Sequence, residues 1–576
     1  MRRLVWLIAL AASAADIGSQ AYLKDVQYLA SPELKGRATG SPELEKAAHW
    51  ISGLFQSFGL KPVDGKSFEL PFPVVTGAHL GADNDLSGAR SGDFQPFSFS
   101  SNGAAKGSLV FAGYGITDKE HNYDDYAGLD VQYKFVLILR HEPREGKDMS
   151  SHAALSDKAV NAKMHGAKGV FLVNDVYAHD GKDQGIDKFR VIEGPTDAGI
   201  FFVQVSPRLA DDWVGADRLR QATEAINRDL KPHSFPIDGA QVGLTVDVVH
   251  ETKTVHNVAA YLPGSTPEYV VIGAHYDHLG LGDEHSLAPS QIGTIHPGAD
   301  DNASGTAGVI ELARWFSKQP KQKRGILFLT FAGEELGLLG SEWYVNHPSL
   351  PLADDVAMIN MDMIGRIRDG KVYLSGSGTG STFPELLKEV TPPAPLSMDL
   401  NEKTGYGASD HTSFTTKGVP VLFFFSGLHG DYHKPSDTAD KIDAPDAAKL
   451  LDYIADLTAH LETGAERPQF IRVAEPPQPL SSSSSGSGYG PNFGSIPDFD
   501  EPPKGVRFAD VKDGSPAAKA GLKAGDILIE FDGKAIGNLY DFTYALRAHK
   551  PGDLVLVKVL RGAQTIEAKV LLTERR

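Results

Sequence analysis

The feature that most constrains the fold of this chain is a regular alternation of apolar and helical segments between residues 255 and 465. Each apolar segment is strand-like, and stretches with helical periodicity such as SGTAGVIELARWFSK lie between them. This alternation is typical of an α/β domain. We therefore predict a mixed, mostly parallel sheet flanked by helices. The apolar segments are EYVVIGAH, RGILFLTFAGEE, DVAMINMDMIG and VPVLFFF.

Polar side chains follow the predicted strands. His275 and Asp277 come at the end of the first strand, Glu334 and Glu335 after the second, and Asp362 after the third. In open α/β sheets, ligands bind at the carboxyl ends of the strands. Adjacent carboxylates at the exit of a buried strand are costly unless a cation compensates their charge. In an extended segment the two glutamates point to opposite sides, which allows them separate roles.

Two loops extend this polar set. The glycine-rich sequence PGADDNASG carries Asp300 and Asp301 before a helix, and GDYHKPSDT carries Tyr432 and His433. The chain contains no cysteine, so a metal must be held by histidine and carboxylate side chains. Such ligands suit zinc without thiolates. By spacing alone, either Asp300 or Asp301 is able to bridge two metals.

Taken together, these motifs resemble the secreted bacterial di-zinc aminopeptidase family. The resemblance extends over about 210 residues and an N-terminal segment, and it implies two Zn²⁺ ions per chain. By motif, Asp301 would bridge the metals. His275 and Asp362 would complete one site, and Glu335 and His433 the other. The motifs are AHYDHLG, GADDNASG, FAGEELGLLGS, NMDMIG, SDHTSF and YHKPSDT.

The resemblance also implies roles for residues that do not bind metal. Glu334 would be the general base, Asp277 would orient His275, and Tyr432 would donate to the developing oxyanion. The peptide bond between Asp301 and Asn302 is expected to be cis. Two further histidines near the first ligand, His278 and His285, are interpreted as surface or substrate-pocket residues.

The activity implied is that of an exopeptidase that removes N-terminal residues from peptides. Three alternatives remain: a single-zinc glutaminyl cyclase of the same fold, a non-catalytic binding ectodomain, and a carboxypeptidase. The complete ligand set favours two metals and hydrolysis over the first two. A carboxypeptidase needs a basic pocket, and no distinctive basic cluster lies near the motifs.

The remaining sequence predicts six segments. The peptidase domain comprises an N-terminal part, residues 16–80, and a catalytic part, residues 251–465. Residues 81–250 between them resemble an inserted protease-associated domain, β-rich and of α+β type. Residues 466–502 have the composition of a Pro/Ser/Gly linker. Residues 1–15 and 503–576 form the remaining two segments.

Residues 503–576 resemble a PDZ domain, β-rich like others of that family, through GVRFADV and GSPAAKAGLKAGDILIEFDGKAI. A peptide C-terminus would bind there as an added strand, with its carboxylate near the backbone amides of Val506, Arg507 and Phe508. A purely structural domain is the alternative.

The first residues, MRRLVWLIALAASAAD, have the basic start, short apolar stretch and small-residue pattern of a signal peptide ending near residue 15. The alternative is a short membrane anchor, but the apolar stretch is too short to span a bilayer. We therefore expect export to the periplasm or the medium, with no membrane span after cleavage. The net charge of −18 disfavours nucleic acid as a partner; peptides are the expected substrates.

Overall fold

The computed structural model describes residues 16–118, 122–143, 153–175, 185–190, 197–282, 285–473, 491–498, 502, 504–512 and 514–573. The predicted signal peptide and the central part of the predicted linker lie outside these residues. The chain divides into two compact units, residues 1–74 with 253–473 and residues 75–252 with 474–576. The predicted domain boundaries stay predictions. Among the described helices, none is both long enough and apolar enough to cross a membrane.

A nine-stranded sheet forms the centre of the first unit. Its four inner strands run parallel, which confirms the predicted mixed, mostly parallel sheet. Three of them are buried along their whole length, as continuous apolar strands covered on both faces should be. In spatial order the path is Lys61–Pro62, Val248–Leu262, Gly325–Phe331, Tyr269–His275, Asp355–Met361, Val421–Phe425, Lys371–Ser375 and Ser397–Asp399, and Glu69–Leu80 pairs with Val248–Leu262.

Helices accompany this sheet, and their apolar faces complete its core. The helix Gly305–Phe316 follows the Asp300–Asp301 loop and is almost entirely buried. The helix Pro42–Ser57 begins at Ser41, whose side chain accepts a hydrogen bond from the backbone N–H of Leu44 and so caps the first turn. The other α-helices of this unit are Ser19–Leu29, Leu339–Asn346, Phe383–Glu389, His411–Thr416 and Ala444–Thr463.

The second unit contains a seven-stranded sheet in its first part. Four neighbouring strands are parallel, and the remaining ones close both edges with antiparallel pairs. The strands in spatial order are Asp85–Leu86, Phe235–Val246, Gly103–Phe111, Phe135–Leu139, Gly169–Val173, Phe201–Val205 and Phe94–Pro96, and the α-helices are Leu155–Met164, Pro207–Val214 and Ala216–Asp229.

The C-terminal part of the second unit is a six-stranded sheet with its own apolar core. The sheet starts earlier than predicted, because Ser495–Pro497, from the predicted linker, forms an edge strand. The strands in spatial order are Ser495–Pro497, Val506–Val511, Ile527–Phe531, Leu554–Arg561 and Gln564–Leu571, with Lys534–Ala535 paired to Ile527–Phe531; the α-helices are Pro516–Lys519 and Leu539–Arg547.

This sheet order corrects the predicted peptide-binding strand. Val506–Val511 pairs with Ser495–Pro497 on one side and with Ile527–Phe531 on the other. The backbone of Arg507 accepts a hydrogen bond from Asp498, and the N–H of Phe508 donates to Asp526. An added peptide strand needs a free edge, so the predicted carboxylate site at residues 506–508 is wrong. On this side of the sheet, the edge strand is Ser495–Pro497.

Candidate metal centre

The parallel strands bring the predicted polar side chains to one edge of the sheet. His275 is the last residue of its strand, and it pairs in register with Phe331, three residues before Glu334. Asp362 directly follows the strand Asp355–Met361. His275, Glu334, Glu335 and Asp362 are therefore delivered to the same place by neighbouring strands.

Asp301 lies at the centre of this group. One carboxylate oxygen is 3.5 Å from Nε2 of His275, and the other is 3.2 Å from Nε2 of His433. The Asp301–Asn302 peptide bond is cis, which confirms the expectation from the resemblance. Asp301 is the one described residue whose two oxygens face both of these imidazoles, the arrangement that a bridging ligand requires.

Asp300 does not share this orientation. One of its oxygens accepts a hydrogen bond from the backbone N–H of Gly365 at 2.7 Å, and the other is 3.2 Å from Nε2 of His429. Its side chain is therefore engaged with the surrounding loops. Of the two aspartates that spacing alone left open, Asp301 faces the cluster.

The group around Asp301 has two halves. On one side, Nε2 of His275 is 3.4 Å from Oδ1 of Asp362. On the other, Nε2 of His433 is 3.1 Å from Oε2 of Glu335. Ligand atoms of His275, Asp301 and Asp362 all lie within 4.8 Å of one another.

These donors fit divalent cations. Nε2 of His275, Nε2 of His433 and Oδ1 of Asp362 are buried and make no well-formed hydrogen bond with the described residues. Buried polar atoms are normally satisfied, and these three converge on a common space. Imidazole and carboxylate groups without thiolates are the ligand set of hard or borderline metals.

The charged side chains of the cluster shift one another's pKa values. Burial raises the pKa of Asp301, and the adjacent Glu335 raises it further. Although burial opposes its ionisation, the imidazoles of His278 and His433 hold the pKa of Glu335 well below its usual range. The pKa values of the two neighbouring glutamates therefore shift in opposite directions. Burial and nearby carboxylates raise the pKa of Glu334 well above normal.

His278 is the clearest difference from the sequence prediction. It was expected at the surface or in the substrate pocket, but its side chain is buried, with Nδ1 2.6 Å from Oε1 of Glu335. That interpretation is wrong: His278 adjoins the cluster and contacts a predicted ligand. His285 contributes its backbone carbonyl, which is 3.0 Å from Nδ1 of His433 and so fixes the orientation of that ring.

Glu334 is close to the cluster but is held mainly through its backbone. Its Oε2 is 3.8 Å from Nε2 of His275, and its N–H donates to Oδ1 of Asp277 at 3.2 Å. The other oxygen of Asp277 accepts a hydrogen bond from Thr39 at 2.7 Å. The Asp277 carboxylate is 3.8 Å from Nδ1 of His275, so its direct hydrogen bonds go to Glu334 and Thr39.

Tyr432 packs against the second half of the cluster. Its ring stacks on the imidazole of His433, with centroids 3.9 Å apart. Burial raises the pKa of Tyr432, and the carboxylates of Asp301 and Glu335 raise it further. The phenol therefore keeps its proton and is able to donate a hydrogen bond.

Sequence reasoning missed two residues that support the cluster. Asp437 accepts hydrogen bonds from the backbone N–H groups of Asp300 and Asp301 at 3.0 and 3.1 Å, so it fixes the loop that carries the central ligand. It was visible in the YHKPSDT motif but received no role. Arg37 is fully buried, and no motif marked it.

The guanidinium of Arg37 ties together backbone that surrounds the cluster. Burial lowers its pKa to about 10, while Asp301, Asp277 and other nearby carboxylates oppose that shift. The group is therefore still charged at neutral pH. Its hydrogen bonds go to four main-chain carbonyls, those of Tyr276, Leu29, Pro297 and Gly298.

Replacing Arg37 with methionine is expected to lower the free energy of unfolding by roughly 3 kcal/mol or more, because each buried group left unsatisfied costs about 1–3 kcal/mol. Urea unfolding monitored by circular dichroism measures the change. Arg368→Met is the control, since that arginine also donates to a main-chain carbonyl, that of Leu428, but is exposed. Equal losses in the two variants would contradict the role assigned to Arg37.

Comparison with known proteins agrees with this geometry. Residues 257–458 match the model of peptidase family M28. The chain contains an M28 peptidase domain. All five candidate ligands and Glu334 lie within this M28 domain, whereas Arg37 and Thr39 lie outside the matched residues. Residues 483–572 match the model of a PDZ domain, so the chain carries that domain as well.

Several curated proteins that are similar in sequence to this chain are named as aminopeptidases. A probable leucine aminopeptidase of Arthroderma otae is 30% identical over 34% of this chain and 54% of its own length. Aminopeptidase YwaD of Bacillus subtilis is 28% identical over 59% of this chain and 66% of its own length. The matches span 54–58% of the length of the first three fungal relatives.

Solved structures also resemble the chain. An aminopeptidase from Aneurinibacillus sp. strain AM-1 is 25% identical, with a TM-score of 0.46, and the match covers 80% of this chain and 97% of that one. A zinc aminopeptidase from Bacillus subtilis is 21% identical, with a TM-score of 0.48, and the match covers 79% and 98%.

Proposed function

We propose that this chain is a metallo-aminopeptidase that removes N-terminal residues from peptides and holds two Zn²⁺ ions. The observation that carries the proposal is the position of Asp301, with one oxygen toward His275 and the other toward His433. Asp362 lies next to the imidazole of His275, and Glu335 lies next to that of His433. A single metal needs no such paired arrangement.

These distances support the ligand assignment that the motifs imply. His275 and Asp362 would hold one ion, Glu335 and His433 the other, and Asp301 would bridge them. When bound, two such ions lower the pKa of a shared water from 15.7 to about 7 and polarise the substrate carbonyl. His278 would stay beside the second half, where its contact with Glu335 orients that carboxylate.

Glu334 is the group that moves the proton. Its side chain reaches the cluster near His275, and its raised pKa brings it closer to the value that suits a base at neutral pH. It would accept a proton from the attacking water and return it to the leaving amine. Asp277 positions Glu334 through the hydrogen bond to its backbone N–H.

Tyr432 would donate a hydrogen bond to the oxyanion that forms when the carbonyl is attacked. A donor fixed by stacking on His433 needs little reorganisation during the reaction, which is how oxyanion donors stabilise a transition state. Asp410, from the SDHTSF motif, lies near Glu334 and adds part of a negative charge at neutral pH. Burial is the main cause that raises its pKa to about 7, with smaller contributions from Asp277 and Asp362. Such acidic side chains suit a free N-terminal amine.

A panel of substrates tests the proposal. Zinc-loaded protein should hydrolyse aminoacyl-nitroanilides and release nothing from the same compounds with an acetylated amine, because the free amine is part of the recognised group. Cyclisation of an N-terminal glutamine without hydrolysis would instead indicate a glutaminyl cyclase. Tight peptide binding without turnover would indicate a binding ectodomain. Release of C-terminal residues would indicate a carboxypeptidase.

The rest of the chain is proposed to serve the same activity outside the cytoplasm. Export to the periplasm or the medium follows from the predicted signal peptide. The inserted domain, proposed to be a protease-associated domain, would influence substrate access. The PDZ domain would recruit peptides by their C-termini, and Ser495–Pro497 is the edge strand with which such a peptide would pair.

Deleting residues 480–576 is expected to leave kcat/KM for small nitroanilides unchanged while lowering the unfolding temperature of the second unit. The helix Leu539–Arg547 contacts the helix Leu155–Met164: Lys163 pairs with the buried Asp541 at 2.8 Å, and Arg547 with Asp157 at 3.2 Å. Deleting residues 480–576 exposes the surface of the helix Leu155–Met164 that these ion pairs cover. Differential scanning calorimetry and nitroanilide kinetics measure both effects. A large fall in turnover would mean that the PDZ domain is part of the active enzyme.

A further inference from the structure

A second group of imidazoles and carboxylates lies in the peptidase unit, and none of its members has a role in the reaction above. The helix Pro42–Ser57 contributes Glu45 and His49. These two are four residues apart and therefore lie on one face of the helix. Two different strands contribute Glu69 and His256.

These side chains form two hydrogen-bonded pairs, and three of them share one cluster. Nδ1 of His256 is 2.9 Å from Oε2 and 3.2 Å from Oε1 of Glu45. Nδ1 of His49 is 2.7 Å from Oε1 of Glu69. Ligand atoms of Glu45, Glu69 and His256 all lie within 4.8 Å of one another, which is the spacing of donors around one ion.

Nearby groups hold these side chains in place. Ser52, one turn after His49, donates to Oε1 of Glu69 at 3.1 Å. Tyr276 donates its hydroxyl to the backbone carbonyl of His256 at 2.5 Å. Metal sites commonly show such supporting hydrogen bonds around their ligands.

The group also carries negative charge without a permanent cation. Among the described residues, neither Glu45 nor Glu69 forms an ion pair with a lysine or arginine; their partners are His256 and His49. Burial raises the pKa of the adjacent Tyr276, and the carboxylates of Glu45 and Glu69 are among the groups that raise it further. Among the described residues, imidazoles are therefore the ion-pair partners of both carboxylates.

We propose that Glu45, His49, Glu69 and His256 form a separate site for one divalent metal ion of the zinc type. Glu45, Glu69 and His256 supply three donors that already lie within reach of one ion, and His49, which is hydrogen-bonded to Glu69, is the proposed fourth. Two imidazoles and two carboxylates are a nitrogen and oxygen donor set that zinc accepts in tetrahedral sites. Three elements distant in sequence supply these donors, so a bound ion would link the N-terminal helix to the strands. His49 has 68% of its side chain accessible, so its ring is able to turn toward the ion.

Isothermal titration calorimetry with Zn²⁺ tests this site on full-length protein whose catalytic centre is already loaded with zinc. The wild type is expected to bind one more Zn²⁺ per chain than His256→Ala does at pH 7.5. Glu45→Gln, which keeps the shape of the side chain, is expected to weaken that binding at least tenfold. His460→Ala, on an exposed face of Ala444–Thr463, should bind zinc as the wild type does.

Nitroanilide turnover should be the same in all four proteins, because none of the substituted residues belongs to the catalytic group. An unfolding temperature close to that of the wild type confirms that each variant is folded. The proposal is overturned if the wild type binds no additional Zn²⁺, or if the folded Glu45→Gln and His256→Ala variants bind as many ions with the same affinity. A failed peptidase assay would leave this comparison of zinc binding unaffected.

Discussion

Replacing Glu334 with glutamine is expected to lower kcat for aminoacyl-nitroanilides by about 10²–10⁴-fold, the usual contribution of a general base. Glutamine has nearly the same shape but cannot accept a proton from water. Because Glu334 is not assigned as a ligand, the zinc content of the variant should equal that of the wild type. Steady-state kinetics and metal analysis of the same preparation measure both quantities.

The control for this variant is Glu385→Gln, on the exposed helix Phe383–Glu389. Its turnover should be that of the wild type. If Glu334→Gln keeps wild-type kcat with zinc bound, another group is the base. If it loses zinc together with activity, Glu334 is a ligand and the division of roles between Glu334 and Glu335 is wrong.

Replacing Asp301 with asparagine should have the broadest effect on metal binding. Its two oxygens face the two halves of the cluster. One substitution should therefore weaken the binding of both ions. We expect a fall in zinc affinity greater than the roughly 10–100-fold found for residues that only support ligands. Turnover should be undetectable at zinc concentrations that saturate the wild type. Competition with a chromogenic chelator gives the affinities.

The neighbouring substitution Asp300→Asn separates metal binding from local folding. Asp300 bonds to Gly365 and His429 and faces away from the cluster, so this variant should be less stable yet still bind two zinc ions. If Asp300→Asn loses both ions while Asp301→Asn keeps them, the bridging ligand has been assigned to the wrong aspartate.

Much of this centre could be predicted because its ligands follow strands that sequence identifies. His275 ends one continuous apolar segment, Glu335 lies four residues beyond a second, and Asp362 directly follows a third. Parallel neighbours place such positions at one edge of the sheet. The choice between Asp300 and Asp301 could not come from spacing, since both precede the same helix. The fold decides it, because the Asp437 carboxylate and the Gly365 backbone fix which side chain faces inward.

The features that sequence missed or misplaced have separate physical origins. Arg37 acts through four main-chain carbonyls, and sequence shows no partner for a guanidinium that binds backbone. His278 follows the first ligand in a loop, where no periodicity predicts burial. The strand Val506–Val511 has the composition of a ligand-binding edge but lies inside its sheet, because the three-residue strand Ser495–Pro497 is too short to detect beside a polar linker.

Titration of metal-free protein with Zn²⁺ while leucyl-nitroanilide hydrolysis is monitored tests the central claim most directly. We expect no hydrolysis in the metal-free protein, activity that rises to its maximum as two equivalents bind at the Asp301 centre, and no hydrolysis of the N-acetylated substrate. Hydrolysis without metal would contradict the proposed two-zinc mechanism. So would one tightly bound zinc at this centre with no peptidase activity.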